Sequence, residues 1–351
     1  MSGVESFRVG DREIGAGADV YVIAEAGANH NRDLGIAREL VDVAADSGAD
    51  AVKFQTYSGD RIYSSKTPRF EYLKGVSDKT PAELLEEISL PRDWQPELAA
   101  YATQRGIDFF STPFDHEAVA ELEQLGVPIM KVASFEIVDL PLIRRVARSG
   151  TPLILSTGMA TMAEIDEAVT AAREAGASGI GLMQCTSVYP APIKRANLAA
   201  METMRRAFGV PAGLSDHTEG IAVSIAAAAL GAAFIEKHFT LDRTMEGPDH
   251  PFAVEPAELA ALVKGVREAQ AAIGDGLKRG PSPEEAGEMY RLGRRSLIVV
   301  GDHLAGTRLE ESMLTIKRPG FGIAPKHLEF VLGRELRVDV TDDDILTWEM
   351  L

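Results

Sequence analysis

Cysteine is almost missing from this chain: Cys185 is the only one in 351 residues. No intrachain disulfide framework can form, and a reducing compartment is the expectation, with the cytoplasm as default. Positive charge is also scarce, 36 Lys and Arg against 53 Asp and Glu, giving a net charge of −17 and a pI near 4.9. Such a surface has no basic field for nucleic acid or an anionic membrane, so neither is an expected partner. Long apolar runs are absent as well. The longest, IAVSIAAAALGAAFI over 221–235, is interrupted by Gly231 and falls short of the roughly 18 to 20 residues of a membrane span. The opening MSGVESFRVGDREIG carries early charges and no apolar core, unlike a signal peptide. No tandem repeat of the solenoid type and no glycine-rich nucleotide loop is visible.

What is present is ordinary globular material, 45% hydrophobic and 25% charged, with room for one large domain and a small one. Eight short β-rich runs alternate with amphipathic helical stretches. The runs are VYVIAEA (20–26), AVKFQTY (51–57), IDFFSTP (107–113), PIMKVAS (128–134), PLILSTG (152–158), GIGLMQCTS (179–187), PAGLSDH (211–217) and AFIEKHF (233–239). Eight successive βα units without interruption predict a closed (β/α)8 TIM barrel over 1–273 rather than an open doubly wound sheet. The last helix is predicted over 256–273. A long mixed segment from Ser58 to Asp93 reads as an inserted loop on the functional face. Residues 274–293, rich in Gly, Pro and charge, read as a linker, and 294–351 as a small α+β module.

In such a barrel chemistry sits where the strands end. Those ends carry Glu25; Lys53 and Gln55; Thr112; Lys131, Ser134 and Glu136; Ser156; Ser187 and Tyr189; Ser215 and His217; and His238. A lysine in a buried strand is costly unless it is paired. Lys53 and Lys131 therefore either pair with carboxylates or, with the surrounding hydroxyls, form a pocket for a small phosphorylated metabolite. A Schiff-base lysine is a further possibility. His217 and His238 end adjacent strands, so they are either two structural histidines or a pair holding a divalent transition metal with open coordination positions. Asp216 and Glu236 are then candidates to orient the two rings. Strand alternation assigns Cys185 to the core.

The motifs YVIAEAGANHN, GADAVKFQTY, STPFD, MKVASFEI, LILSTGMA, CTSVYPAP, GLSDHTEG, IEKHFTLDR and GPDHPFAVEP follow one another in an order that resembles the sialic acid (nonulosonic acid) synthases. The C-terminal 60 or so residues resemble that family's antifreeze-like (SAF) domain. The resemblance implies condensation of phosphoenolpyruvate with an open-chain N-acyl amino sugar to a nine-carbon 2-keto acid, with phosphate lost by C–O cleavage. It implies Glu25 and Glu136 as catalytic groups, and phosphoenolpyruvate on Lys53, Thr112, Lys131, Ser134, Ser156, Ser187 and Ser215. It places the sugar against Gln55, Phe135, Tyr189, Asp249 and Arg318. Manganese, or magnesium or cobalt in its place, would bind His217 and His238. A domain-swapped homodimer, in which Arg318 enters the partner's site, follows from the same resemblance. ASFE resembles the pseudaminic branch and GPDH the sialic and legionaminic branches, so the sugar stays open between N-acetylmannosamine and a 6-deoxy diacetamido hexose. The competing readings are a Schiff-base aldolase using Lys53 or Lys131 and a non-catalytic sugar-phosphate sensor.

Overall fold

The structure is a computed structural model that describes residues 4–15, 17–68 and 79–351. The chain divides into two compact units, Met1–Gly274 and Asp275–Leu351.

The first unit opens with a hairpin, β1 (Phe7–Val9) and β2 (Arg12–Ile14), which the apolar pattern did not reveal because each strand has three residues. Eight parallel strands follow: β3 (Tyr21–Glu25), β4 (Ala51–Thr56), β5 (Asp108–Pro113), β6 (Met130–Val132), β7 (Leu153–Ser156), β8 (Ile180–Cys185), β9 (Ala212–Asp216) and β10 (Phe234–His238). They close into a barrel in chain order, with β10 beside β3. Residues of these strands are almost all buried, as expected when helices cover the outer face and side chains fill the inner one.

The helices of this unit are α1 (Leu34–Asp46), α2 (Gly59–Ile62), α3 (Pro81–Ile88), α4 (Gln95–Arg105), α5 (His116–Leu125), α6 (Leu140–Ala147), α7 (Met162–Glu174), α8 (Ala199–Phe208), α9 (Ala222–Ala229) and α10 (Pro256–Ile273). Their starts are written locally. Asp33, Asp115 and Asp139 cap α1, α5 and α6 through their carboxylates, and Thr80 with Glu83 and Thr161 with Glu164 form capping boxes on α3 and α7. Segment 58–93, expected as a loop, contains α2 and α3; part of it (69–78) lies outside the described residues. Gly59 there lets α2 lie against α3, since a Cβ would fall 1.9 Å from the Ala82 carbonyl oxygen.

The barrel floor is aromatic. Phe7 of the hairpin packs 6.2 Å from Phe234, and Tyr21 meets the same ring edge-on. Gly181 makes space for it, because a Cβ would lie 2.5 Å from the Phe234 ring. Among the described residues no helix is long and apolar enough to cross a membrane.

The second unit has α11 (Glu288–Gly293), which lies inside the segment read as a linker, then an antiparallel pair, β11 (Ser296–Val299) with β12 (Leu314–Lys317), and α12 (Leu328–Val331). Its core gathers Leu297, Val299, Leu309, Ile323, Val331, Leu336, Val340 and Leu346.

Candidate active site

The strand register decides which side chains meet. His238 is paired with Glu25, Glu25 with Lys53, and Ser215 with Glu236 across neighbouring strands. Paired residues of parallel strands point the same way, so these groups line one cavity at the C-terminal mouth of the barrel. The cavity proper is small, about 60 Å³, and opens into about 410 Å³ of empty space when the solvent-filled mouth is included. Glu25, Lys53, Gln55, Thr112, Lys131, Ser134, Phe135, Ser156, Tyr189, Ser215, His217 and His238 all line it, together with Phe114, Cys185 and Glu236.

The charged centre is a chain of alternating signs. Lys53 Nζ lies 2.6 Å from Glu25 Oε2 and 3.6 Å from Glu236, and donates to Thr112 Oγ1 at 3.2 Å. Lys131 Nζ donates to Glu236 Oε1 at 2.5 Å and reaches Ser215 Oγ at 3.4 Å. Ser215 Oγ donates to the same Glu236 oxygen at 2.9 Å, and Gln55 Nε2 donates to Glu25 Oε1 at 2.8 Å. Ser134 and Ser156 are joined at 2.9 Å, and the Gly158 N–H donates to Ser134 Oγ at 3.0 Å. The pairing of the lysines with buried carboxylates and the gathering of hydroxyls around them are therefore both present.

These contacts divide the two acids. Burial raises the Glu25 carboxyl, with Lys53 pulling against it. Burial also acts on Glu236, but Lys131 and Lys53 outweigh it and hold that group well below the usual carboxylate range. For Lys53, burial would lower the ammonium; Glu236 and Glu25 prevail and raise it. Glu136 sits on a single helical turn over Ser134–Glu136. Its Oε2 is buried without a hydrogen-bond partner, and burial raises its carboxyl to about 7.

His217 and His238 lie with ring centroids 5.4 Å apart. Tyr189 packs 4.2 Å from the His217 ring, and Phe252 5.2 Å from that of His238. His217 Nδ1 lies 3.0 Å from the Thr186 carbonyl oxygen. A carbonyl can only accept, so Nδ1 carries a proton and Nε2 is the ring nitrogen that can turn to a ligand. Burial, followed by the nearby His217, lowers His238 well below its ordinary value, which keeps it neutral. Its Nδ1 is buried without a hydrogen-bond partner, 3.8 Å from Asp249 Oδ2. For His217, burial would lower the imidazole, but the contacts with Cys185 and the Thr186 carbonyl prevail and raise it. A neutral His238 beside a His217 that gives up its Nε2 proton on binding fits a divalent cation. No group of three or more His, Cys, Asp or Glu among the described residues is placed to hold one, so the protein would supply two ligands.

Two expectations are corrected. Asp216 and Glu236 do not orient the rings: Glu236 turns inward to the lysines and Asp216 turns outward to Lys237. Cys185 does not belong to the core; it lines the cavity with Sγ 3.7 Å from His217 Nδ1. With His238 facing inward, the residue two positions earlier must face inward too, so Glu236 could have been found from alternation. Phe252 had no such signal, since it lies outside the strands.

The remaining residues are more scattered. Ser187 lies beside Cys185, Oγ to Sγ 3.7 Å. Asp249 accepts from the Ala28 N–H at 3.2 Å, close over Gly27, where a Cβ would fall 2.6 Å from its Oδ2. Arg318 is exposed on the second unit.

Residues 40–278 match the NeuB family and 294–351 the SAF domain. The chain belongs to the NeuB family. This NeuB-family chain is 42% identical over 329 residues to the N,N'-diacetyllegionaminic acid synthase of Campylobacter jejuni, covering 93% of this chain and 98% of that one. It is 38% identical to the pseudaminic acid synthase of Helicobacter pylori, over 90% of this chain and 92% of that one. Among solved structures it is similar to the N-acetylneuraminic acid (sialic acid) synthetase of Leptospira borgpetersenii in complex with citrate. That match has a TM-score of 0.73 and 35% identity over 80% of this chain and 94% of that one.

Proposed function

We propose that this NeuB-family enzyme is a nonulosonic acid synthase that condenses phosphoenolpyruvate with an open-chain N-acyl amino sugar, forming a nine-carbon 2-keto acid and phosphate. The observation that carries this reading is the juxtaposition, in one barrel mouth, of the Glu25–Lys53–Glu236–Lys131 chain with two adjacent histidines. Lys53, Lys131 and the hydroxyls of Thr112, Ser134, Ser156 and Ser215 hold the phosphate and carboxylate of phosphoenolpyruvate, with Ser187 at the edge. Since Lys131 is engaged by Glu236, the incoming anion shares that ammonium and takes its added hydrogen bonds from the hydroxyls.

His217 and His238 would hold manganese, or magnesium or cobalt, which when bound would supply Lewis-acid polarisation of the sugar aldehyde. Glu25, with a raised carboxyl beside Lys53, moves the proton to or from the reacting atoms. Glu136 does the same at the sugar end, where a carboxyl near 7 is half-protonated at neutral pH. Gln55, Tyr189 and Asp249 orient the sugar. Carbon 3 of phosphoenolpyruvate bonds to the aldehyde carbon, water adds at carbon 2, and the C–O bond to phosphate breaks.

The sugar proposed is a 6-deoxy diacetamido hexose. Phe135 stands 63% exposed at the cavity mouth, where a methyl or acyl group is better received than a hydroxylated chain. The legionaminic and pseudaminic relatives point the same way. A homodimer in which Arg318 serves the partner's cavity, in a reducing cytoplasmic setting, belongs to the same proposal. A Schiff-base aldolase is disfavoured by the charge state of Lys53, because an amine nucleophile must be unprotonated and here the acids raise it.

Phosphate release with Mn²⁺ tests the reading against N-acetylmannosamine and the 6-deoxy diacetamido precursors of legionaminic and pseudaminic acid. Release with one of the latter two is expected. Release with N-acetylmannosamine alone overturns the sugar assignment, and binding without release across the panel favours the sensor reading.

A further inference from the structure

The strands that carry His217 and His238 carry a second charged pair on their opposite face. Asp216 and Lys237 are register neighbours on β9 and β10. They are 2% and 1% exposed, and Lys237 Nζ lies 3.1 Å from Asp216 Oδ2. Alternation turns both away from the cavity and toward α9, whose Ser224 hydroxyl donates to the same carboxylate oxygen at 2.7 Å. The other oxygen, Oδ1, accepts from the Thr218 N–H at 2.9 Å and its hydroxyl at 2.8 Å. Lys237 Nζ donates as well to the Thr218 carbonyl.

One ammonium thus grips residues 216 and 218 from the neighbouring strand and straddles His217. His217 lies one residue past the end of β9, where the regular ladder no longer holds the backbone. Lys237 itself immediately precedes His238. A buried ion pair adds little net stability over an apolar pair, because desolvation offsets the attraction, so stability alone does not account for this one. What it does supply is a fixed relation between two strand ends.

We infer that the Asp216–Lys237 pair is a positioning clamp that sets the spacing and orientation of His217 and His238 for a divalent cation. The inference rests on the two-histidine metal reading above and extends it to residues that touch neither substrate nor cation. The clamp acts from behind the barrel wall. It joins one strand residue on each side to Thr218 and to Ser224 of the covering helix, so its loss loosens the pair of rings without removing a ligand.

The test is Mn²⁺ binding to the full-length, metal-free protein without substrates, read as free and bound Mn²⁺ by electron paramagnetic resonance. The double variant Asp216→Asn/Lys237→Met removes both charges at nearly constant volume; residue 216 keeps its polar contacts to Thr218 and Ser224, and beyond the ion pair itself only the Lys237 bond to the Thr218 carbonyl is lost. It is expected to stay folded by circular dichroism and thermal unfolding, while the Kd for Mn²⁺ rises by about 10- to 100-fold and the bound-ion spectrum changes shape. An unchanged Kd and spectrum in the folded double variant overturn the clamp. Should that variant not fold, Ser224→Ala decides: a rise of about threefold is expected from loss of one hydrogen bond to Asp216, and no rise overturns it. A wild-type protein that takes up no Mn²⁺ sinks the two-histidine reading and the clamp with it. Uptake by the wild type with equal uptake by the variant sinks the clamp alone.

Discussion

The floor and the mouth of the barrel use buried charge in opposite ways. At the floor, Asp50 precedes β4 and is saturated. Its Oδ2 accepts from the Val22 N–H at 2.7 Å and from Arg267 at 2.6 Å, and its other oxygen takes Arg12 of the hairpin. Nearby, Gln270 of α10 accepts from the Val20 N–H at 3.0 Å and donates to the Ala18 carbonyl at 2.7 Å. At the mouth, His238 Nδ1 is buried without a hydrogen bond, and Glu236 Oε2 has only the Lys53 ammonium 3.6 Å away. Buried polar atoms are normally paired, and each unpaired one costs free energy. The floor therefore holds the fold together, and the mouth retains unmet bonding capacity for something that binds there.

The sharpest break would come at the metal pair. His217→Ala and His238→Ala should each lower turnover by at least about 100-fold and abolish Mn²⁺ uptake, with little change in urea midpoint. Chelation of the wild type should do the same reversibly, with Mn²⁺ restoring phosphate release. Full activity in the chelated protein would remove the cation from the mechanism. At the floor the expectation reverses: Asp50→Ala should cost about 3 kcal/mol in equilibrium unfolding while kcat per folded molecule is unchanged. A lowered kcat there would mean the floor and the mouth are coupled.

Lys131→Ala should raise KM for phosphoenolpyruvate by about 10- to 100-fold, more than it lowers kcat. A fall confined to kcat would move this lysine from binding to chemistry. The smallest effect concerns Glu136, whose carboxyl burial raises from 4.5 to about 7. Between those values the folded protein keeps a proton that the unfolded chain has lost, so stability falls as pH rises through the window. Glu136→Gln should remove that slope, seen as urea midpoints that diverge from wild type between about pH 5 and about pH 8. Parallel midpoints would show that the carboxyl titrates normally.

Much of the fold was legible because its signals are local. The apolar runs VYVIAEA (20–26) and PLILSTG (152–158) contain β3 and β7, each longer than the strand by two or three residues, and the Asp and Thr caps mark where helices begin. The hairpin at residues 7–14 was too short to show a period. Helix α11 lay hidden in a stretch whose Gly and Pro content reads as linker. In the site, Lys53, Lys131 and the two histidines stood out as polar residues at the ends of apolar runs. Cys185 did not, because a thiol is as common in a core as in a cavity wall.

By itself the sequence determined the order of the βα units and the chemical types at each strand end, since both depend on neighbours a few residues away. Only the tertiary structure decided who faces whom. Closure places β10 beside β3, so that His238 meets Glu25 across more than two hundred residues of chain. It also sends Glu236 to Lys131 and leaves Asp216 to Lys237. Strand alternation permits either face for a run of polar residues. The closed barrel, with one wall toward the cavity and the other under a helix, selects between them by giving each charge a partner on only one side.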